Sequence, residues 1–239
     1  MRKKSVLLSI LVCLVLLMSA CAGTGANGNS QALPVEDALL PLPPSERDGW
    51  PFGVDVNINM STIDDWIERP DVVYRDLRMF FDPAGFGAIG GISNLTQTLP
   101  GYLVVPMPYL VTLTAMPVEG QYEGPVLFDA VWGDNNDVLS IKANYVESEM
   151  ILDDLFPKDK VIFLMCGGAG YSALTRGLLV YMGWDEDLIY STGGNWYYEG
   201  GKAVDLTVEQ EGIGEEFILA TWRVNYAYID FDRLHPVTP

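Results

Sequence analysis

Apolar residues group most clearly in residues 161–194. The segment opens with an apolar run, Val161–Cys166, which is too short to cross a membrane and is bounded by polar residues. A run of this kind is typical of a strand that is buried on both faces. The pattern therefore predicts a buried strand that ends at Cys166.

A helix is predicted directly after this strand. Residues 167–170 form a glycine-rich turn. The residues that then fall on one face at helical spacing, which is the face expected to be buried, are Ala173, Leu174, Gly177, Leu178, Tyr181 and Met182. Ser172 is the expected N-cap, because its hydroxyl can accept a hydrogen bond from an otherwise unpaired N–H. Gly183 suits the end of the helix, and a short strand at 188–190 completes the unit.

Shorter patterns predict the remaining elements. Capping residues, early acids and apolar spacing predict a helix at 60–68, and apolar spacing predicts another at 146–156. Residues 110–146 combine strand-like runs with a Gly-Asp-Asn-Asn turn, which indicates an inserted β-hairpin. Further short strands are predicted at 72–74, 102–105 and 216–222.

The N-terminus has the features of a targeting segment. Basic residues at 2–4 precede an apolar stretch at 5–18, which is short for a membrane span and typical of a signal peptide. The sequence Met-Ser-Ala-Cys then resembles the bacterial lipobox, which implies that Cys21 is lipidated and becomes the mature N-terminus. The alternative is a plain secretory signal that is cut near Ala20 or Ala22. The polar, glycine-rich residues that follow favour the lipoprotein, because they form a flexible tether.

These features divide the chain into four parts. We expect a lipoprotein signal peptide at 1–20, a flexible tether at 21–55, a folded domain at 56–204 with an insertion at about 110–146, and a C-terminal extension at 205–239. The domain would lie outside the cytoplasm, anchored to the cell membrane by the lipid on Cys21.

Charge and cysteine content narrow the chemistry. The net charge is −18, and nucleic-acid binding needs clustered Lys and Arg, so we expect no nucleic-acid partner. Of three cysteines, Cys13 would leave with the signal and Cys21 would carry lipid, so Cys166 is the only free thiol of the mature chain. We therefore expect no disulfide, no metal and no cofactor. The single histidine, His235, is expected at the surface.

Cys166 lies where a nucleophile is expected. A cysteine between the end of a strand and the start of a helix meets converging N–H groups and the positive end of the helix dipole. This setting favours the thiolate, which is the nucleophile, and an anionic adduct such as a persulfide. The glycines that follow leave room for one extra sulfur atom. The alternative is a buried structural cysteine.

Four landmarks resemble the rhodanese-like family. They are Asp76-Leu77-Arg78 at the end of a predicted strand, the loop from Cys166 to Ala173, Gly183-Trp184 after the helix, and Thr-Gly-Gly-Asn-Trp at 192–196. The family has an Asp-x-Arg strand end, an active loop of the same length, a glycine and an aromatic residue after the helix, and a Glu-Gly-Gly turn. The resemblance covers about residues 57–203 apart from the insertion.

The resemblance implies a rhodanese-like α/β fold, with a doubly wound parallel sheet, helices on both faces and a single domain with an inserted hairpin. It implies that Cys166 is catalytic. Asp76 and Arg78 are expected to pair and give structural support to its loop, and the alternative is a plain surface charge pair. The implied substrate-binding residues are Gly167, Gly168, Ala169, Gly170, Tyr171 and Ser172. The aromatic residues Trp196, Tyr197 and Tyr198 would wall the pocket or belong to the core.

The loop departs from the family in its charge. Gly167 and Tyr171 stand where the family often has basic residues. Mercaptopyruvate-type members also have glycine at the first of these positions, so sulfur transfer is still implied. The related phosphatases need a loop arginine, which this chain lacks. Arg176, one turn into the helix, is expected to face solvent.

The expected function is sulfur transfer, of the thiosulfate or mercaptopyruvate type. Cys166 would take sulfur from a small anionic donor as a persulfide and pass it to cyanide or a thiol. The alternative is a non-catalytic rhodanese-like module that binds a partner or senses redox state. The missing loop arginine, the insertion and the acidic tail favour that alternative.

Overall fold

The structure is a computed structural model. It describes residues 40, 44–46, 51–79, 95, 97–113, 122–134, 137–205, 227 and 229–238. These residues belong to one compact unit, Pro34–Pro239. The predicted signal peptide, the lipidation site Cys21 and the candidate strand at 216–222 lie outside the described residues.

The described residues form an α/β fold. The strands are β1 (Val72–Asp76), β2 (Gln97–Thr98), β3 (Leu103–Val104), β4 (Phe128–Trp132), β5 (Val138–Ala143), β6 (Val161–Cys166), β7 (Ile189–Gly194) and β8 (Val204–Asp205). The α-helices are α1 (Met107–Leu110), α2 (Ser148–Leu155) and α3 (Gly170–Tyr181). Short 3₁₀ turns occupy Pro51–Gly53, Ile63–Asp65, Glu186–Leu188, Asn195–Tyr197 and Phe231–Arg233.

A four-stranded parallel sheet is the centre of the fold. Its strand order is β3-β1-β6-β7, and each neighbouring pair is parallel. β6 therefore has a hydrogen-bonded strand on each side, and all of its residues except Val161 are buried. The predicted buried strand that ends at Cys166 is confirmed. β1 also confirms the predicted strand that leads into Asp76.

The side chains of β6 alternate between two hydrophobic cores, because successive residues of a strand face opposite sides of a sheet. Ile162, Leu164 and Cys166 belong to the first core, which includes the apolar faces of α2 and α3. Phe163 and Met165 belong to the second core. The thiol therefore lies on the sheet face that carries the helices.

The second face of the sheet differs from the expectation of helices on both faces. Among the described residues, it is covered by turns and by the 3₁₀ turn Ile63–Asp65, where a helix at 60–68 was predicted. The side chains of Asn59 and Thr62 hydrogen-bond the neighbouring backbone, and such bonds compete with helix formation. Glu68 then adopts a φ of +63°, which a continuing α-helix does not allow.

The insertion contains the predicted hairpin. β4 and β5 pair antiparallel, and Gly133 N–H donates to the Asp137 carbonyl at the turn. The inward side chains Phe128 and Ala130 belong to the first core. The hairpin is thus a packed part of the domain, on the side of the sheet where α3 lies.

The last described residues return to the base of this hairpin. Tyr145 bridges Pro236, and the carbonyl of Asn144 accepts from Val237 N–H. His235 is exposed, as predicted, and its ring hydrogen-bonds the carboxylate of Glu147. In the part of the chain that the structure describes, no helix is both long enough and apolar enough to span a bilayer.

Candidate functional site at Cys166

Cys166 is the last residue of β6, at the carboxyl edge of the parallel sheet. The chain reaches α3 through only three residues, and the last of them, Ala169, adopts a left-handed φ of +75°. A non-glycine residue in that region costs about 1–2 kcal/mol. The sharp turn places the first N–H groups of the helix beside the thiol.

The predicted N-cap at Ser172 is wrong. The left-handed turn at Ala169 starts the helix at Gly170, so Ala169 is the N-cap and Ser172 already lies in the first turn. The Ser172 hydroxyl donates to the Ala169 carbonyl at 2.7 Å. It also accepts from the Ser191 hydroxyl at 3.1 Å, which links the start of α3 to β7.

Cys166 is only 2% exposed as a residue, so its thiol is buried. This burial raises its pKa above the ordinary value, while hydrogen bonds from the backbone N–H groups of Ser172 and Tyr171 lower it. Burial is the larger effect, since the charged form loses its hydration. The structure therefore favours the neutral thiol, contrary to the expectation of a preformed thiolate. The expected N–H groups are nevertheless in place.

The loop presents backbone amides rather than basic side chains. Arg176 does not extend to the loop: its Nε donates to the Ile189 carbonyl, and its guanidinium pairs with Glu186 at 3.1 Å. The side chain of Arg176 is partly exposed, in agreement with its predicted position. Among the residues of this loop, an anion on the Cys166 sulfur would be held by N–H groups and the helix dipole.

Asp76 and Arg78 form the expected pair, and it is buried. Arg78 Nε and Nη2 donate to the two carboxylate oxygens of Asp76 at 2.9 and 2.6 Å. Arg78 also donates to the Gln97 carbonyl, and the Thr98 hydroxyl donates to Asp76 at 2.9 Å. The pair thereby ties the end of β1 to β2. Its charges act on Cys166 in opposite directions: Asp76 raises the thiol pKa and Arg78 lowers it.

Trp196 lies against the first two glycines of the loop. A Cβ added to Gly167 would lie 3.0 Å from Cε2 and Cζ2 of the indole. A Cβ added to Gly168 would lie 2.8 Å from Cε3 and would overlap Cζ3. The backbone N–H of Trp196 also donates to the Gly167 carbonyl at 3.1 Å. A side chain at position 167 or 168 would collide with the indole, which explains why both residues are glycine.

The other two aromatic residues of the segment do not share this position. The Tyr198 hydroxyl donates to Asp64 at 2.6 Å, and the ring packs against the second core. Tyr197 is exposed. Of the three predicted pocket residues, Trp196 is the one that contacts the glycine loop.

The Gly-Gly motif is part of β7 rather than a separate turn. Gly193 has a φ of +100°, and Gly194 pairs with Cys166 across the sheet. A Cβ at Gly194 would overlap the Gly167 carbonyl. Only glycine fits there, so the end of β7 and the Cys166 loop are in direct backbone contact.

Two polar residues near the site were not predicted. Thr98, which lies in β2 and 22 positions after Asp76, donates a hydrogen bond to the Asp76 carboxylate. The hydroxyl of Ser191, in β7, donates one to the Ser172 hydroxyl. Neither residue belongs to a motif, so the sequence carried no signal for them. Within the described ranges, no group of three or more His, Cys, Asp or Glu side chains could hold a metal ion.

Comparison of the chain with protein-family models, with curated proteins and with solved structures finds no match. The function therefore has to be argued from the site itself. That site consists of one buried thiol at a sheet edge, two amide donors, a glycine loop under an indole and a buried ion pair.

Proposed function

We propose that the protein is a rhodanese-like sulfurtransferase in which Cys166 carries sulfane sulfur as a persulfide. The observation that carries this proposal is the position of Cys166, which ends the buried strand β6 at the carboxyl edge of a parallel sheet, directly before α3. α3 is a helix of 12 residues, and the N–H groups of Tyr171 and Ser172 in its first turn lower the pKa of the Cys166 thiol. Such a site stabilises negative charge on sulfur or on a sulfur adduct.

The reaction has two balanced steps. With thiosulfate, the Cys166 thiolate attacks the outer sulfur, a new S–S bond forms, and the old S–S bond breaks with its electron pair leaving on sulfite. Cyanide or a thiolate then attacks the outer sulfur of the persulfide, which gives thiocyanate or a new persulfide and returns the Cys166 thiolate. The cysteine is thus a covalent carrier of one sulfur atom. With a mercaptopyruvate-type donor, the Cys166 thiolate attacks the donor sulfur, and the C–S bond breaks with its electron pair leaving on the enolate of pyruvate, which then takes up a proton.

The burial of the thiol requires an opening step before the first transfer. The pKa of Cys166 is raised because the buried sulfur has lost its hydration. Water that reaches the sulfur restores this hydration and lowers the pKa, while the backbone N–H groups of Ser172 and Tyr171 continue to lower it. The proton can then leave to solvent. Since no basic side chain of the loop assists and the chain has a net charge of −18, anionic donors should bind weakly.

The test is formation of thiocyanate from thiosulfate and cyanide. Wild-type protein should turn over, and Cys166→Ser should not, because an alcohol cannot form the persulfide. Matching circular dichroism spectra and melting temperatures would show that the variant is folded. Equal turnover in the two proteins would contradict the proposal.

A second candidate is a non-catalytic rhodanese-like module that binds a partner or senses redox state through Cys166. The burial of the thiol and its raised pKa favour this candidate, because both slow reaction with donors. A persulfide that forms at Cys166 without turnover would support a carrier or sensor. A thiol that does not react at all would support a binding module.

We also propose that the domain is anchored to the cell membrane by lipid on Cys21, on the extracytoplasmic side. The support is the apolar stretch at 5–18, followed by Met-Ser-Ala-Cys and a polar segment. Cys21→Ala should move the protein from the membrane fraction to the soluble fraction of cells. Unchanged membrane retention of this variant would argue against the lipid anchor.

A further inference from the structure

The indole of Trp196 and the glycine loop are matched in shape. The ring spans Gly167 and Gly168, and an added Cβ at either position would come within 3.0 Å of it. By contrast, a Cβ added at Gly170 or Gly177, farther along the same segment, meets nothing within 4 Å. Within the loop and α3, the glycines whose added Cβ would meet the ring are thus Gly167 and Gly168.

The ring contacts the loop and is itself partly exposed. Gly167, which the ring contacts, and Cys166, the residue before it, are buried. The Trp196 backbone is fixed by the bond to the Gly167 carbonyl and by the 3₁₀ turn Asn195–Tyr197. The backbone of Trp196 is therefore anchored separately from the ring, whose position depends on the side-chain torsions.

We propose that Trp196 is a lid over Cys166 and determines the size of the sulfur donor that reaches it. The role of the lid in choosing a donor rests on the proposed sulfur transfer. Whether Trp196 limits access to the thiol is a separate question, which does not depend on turnover. Small donors would pass when the ring shifts slightly, and bulky donors would require its complete removal. The favoured donor class is therefore a small inorganic or short-chain sulfane sulfur compound rather than a peptide-bound one.

The test measures how fast Cys166 is alkylated in the full-length protein by iodoacetamide and by a bulky maleimide, read at the Cys166 peptide by mass spectrometry. Trp196→Ala should speed the bulky reagent by about tenfold or more relative to wild type, because access no longer needs local opening. The gain for iodoacetamide should be smaller. Gly168→Ala should act in the same direction, since its Cβ displaces the ring.

Two further variants control for loosened folding. Trp196→Phe keeps a ring over the loop and should retain most of the protection. Gly177→Ala adds a methyl group to α3 at a position where it meets no atom within 4 Å. Cys166 of this variant should be alkylated at the wild-type rates. Equal rates for wild type and Trp196→Ala with the bulky reagent would overturn the lid, as would an equal gain for both reagents. Neither result depends on turnover, so failure of the lid is distinguishable from failure of the sulfur transfer.

Discussion

Among single residues, Asp76 and Arg78 stand apart because they form an ion pair that is buried. Their side chains are 0% and 2% exposed, and the carboxylate also accepts from Thr98. Removal of one member of a buried pair leaves the other charge without compensation, which costs more than the pair itself contributes. The stability of the end of β1 therefore depends on both residues being present.

Asp76→Ala should lower the free energy of unfolding by about 3–5 kcal/mol. Urea unfolding monitored by tryptophan fluorescence is the measurement. The matched control is Asp153→Ala, which breaks a half-exposed pair with Lys158 and should cost at most about 1 kcal/mol. Similar losses in the two variants would show that burial does not set the contribution of the Asp76 pair.

The sequence predicts these residues unevenly. Asp76 and Arg78 stand out through their resemblance to the Asp-x-Arg strand end of the rhodanese-like family, and Cys166 stands out because glycines follow it. Thr98 has no such context, and its role depends on the tertiary position of β2. The pKa of Cys166 was predicted in the wrong direction, because desolvation depends on what covers the thiol and no local pattern records that.

Among the secondary-structure elements, α3 has a C-terminal end that is fixed by two backbone hydrogen bonds. Gly183 has a φ of +94° and its N–H donates to the Val180 carbonyl, while Trp184 N–H donates to Leu179. These two bonds are the Schellman arrangement, which satisfies the last carbonyls of a helix. The predicted stop at Gly183 is confirmed, with the reason that a left-handed residue is needed there.

Two glycine-to-alanine substitutions in this element should have opposite effects. Gly183→Ala should destabilise the protein by about 1–2 kcal/mol, since alanine is strained at positive φ. Gly177→Ala, in the helix interior with free space around the new methyl group, should stabilise it by about 0.5–1 kcal/mol. Thermal unfolding of both variants is the measurement, and shifts of the same sign would contradict the assignment of the helix end.

The buried face of α3 was predicted only in part. Leu174 and Leu178 are buried as expected, but Tyr181 is exposed and the polar residues Ser172 and Thr175 are fully buried. Hydropathy spacing cannot anticipate buried hydroxyl groups. In the same way, the pattern at 60–68 could not show that short polar side chains would bond the backbone and limit the helix to one 3₁₀ turn.

At the scale of the whole molecule, the candidate site depends on four segments that meet at one sheet edge. β6 supplies the thiol, α3 supplies the N–H donors, β1 ends in the ion pair, and β7 brings Gly194 and Trp196 onto the loop. The sequence predicted the strand–loop–helix–strand unit and the hairpin. It could not predict that the thiol is buried, because burial depends on the tertiary packing of Cys166 in the first core.

The central claim is that Cys166 carries sulfur, and the most direct test is the mass of the Cys166 peptide after incubation of the full-length protein with thiosulfate. We expect a gain of one sulfur atom on this peptide, lost again when cyanide is added. The control is Cys166→Ser, in which the corresponding peptide should gain no sulfur. No sulfur gain at Cys166, or an equal gain on the peptide of the Cys166→Ser variant, would contradict the account.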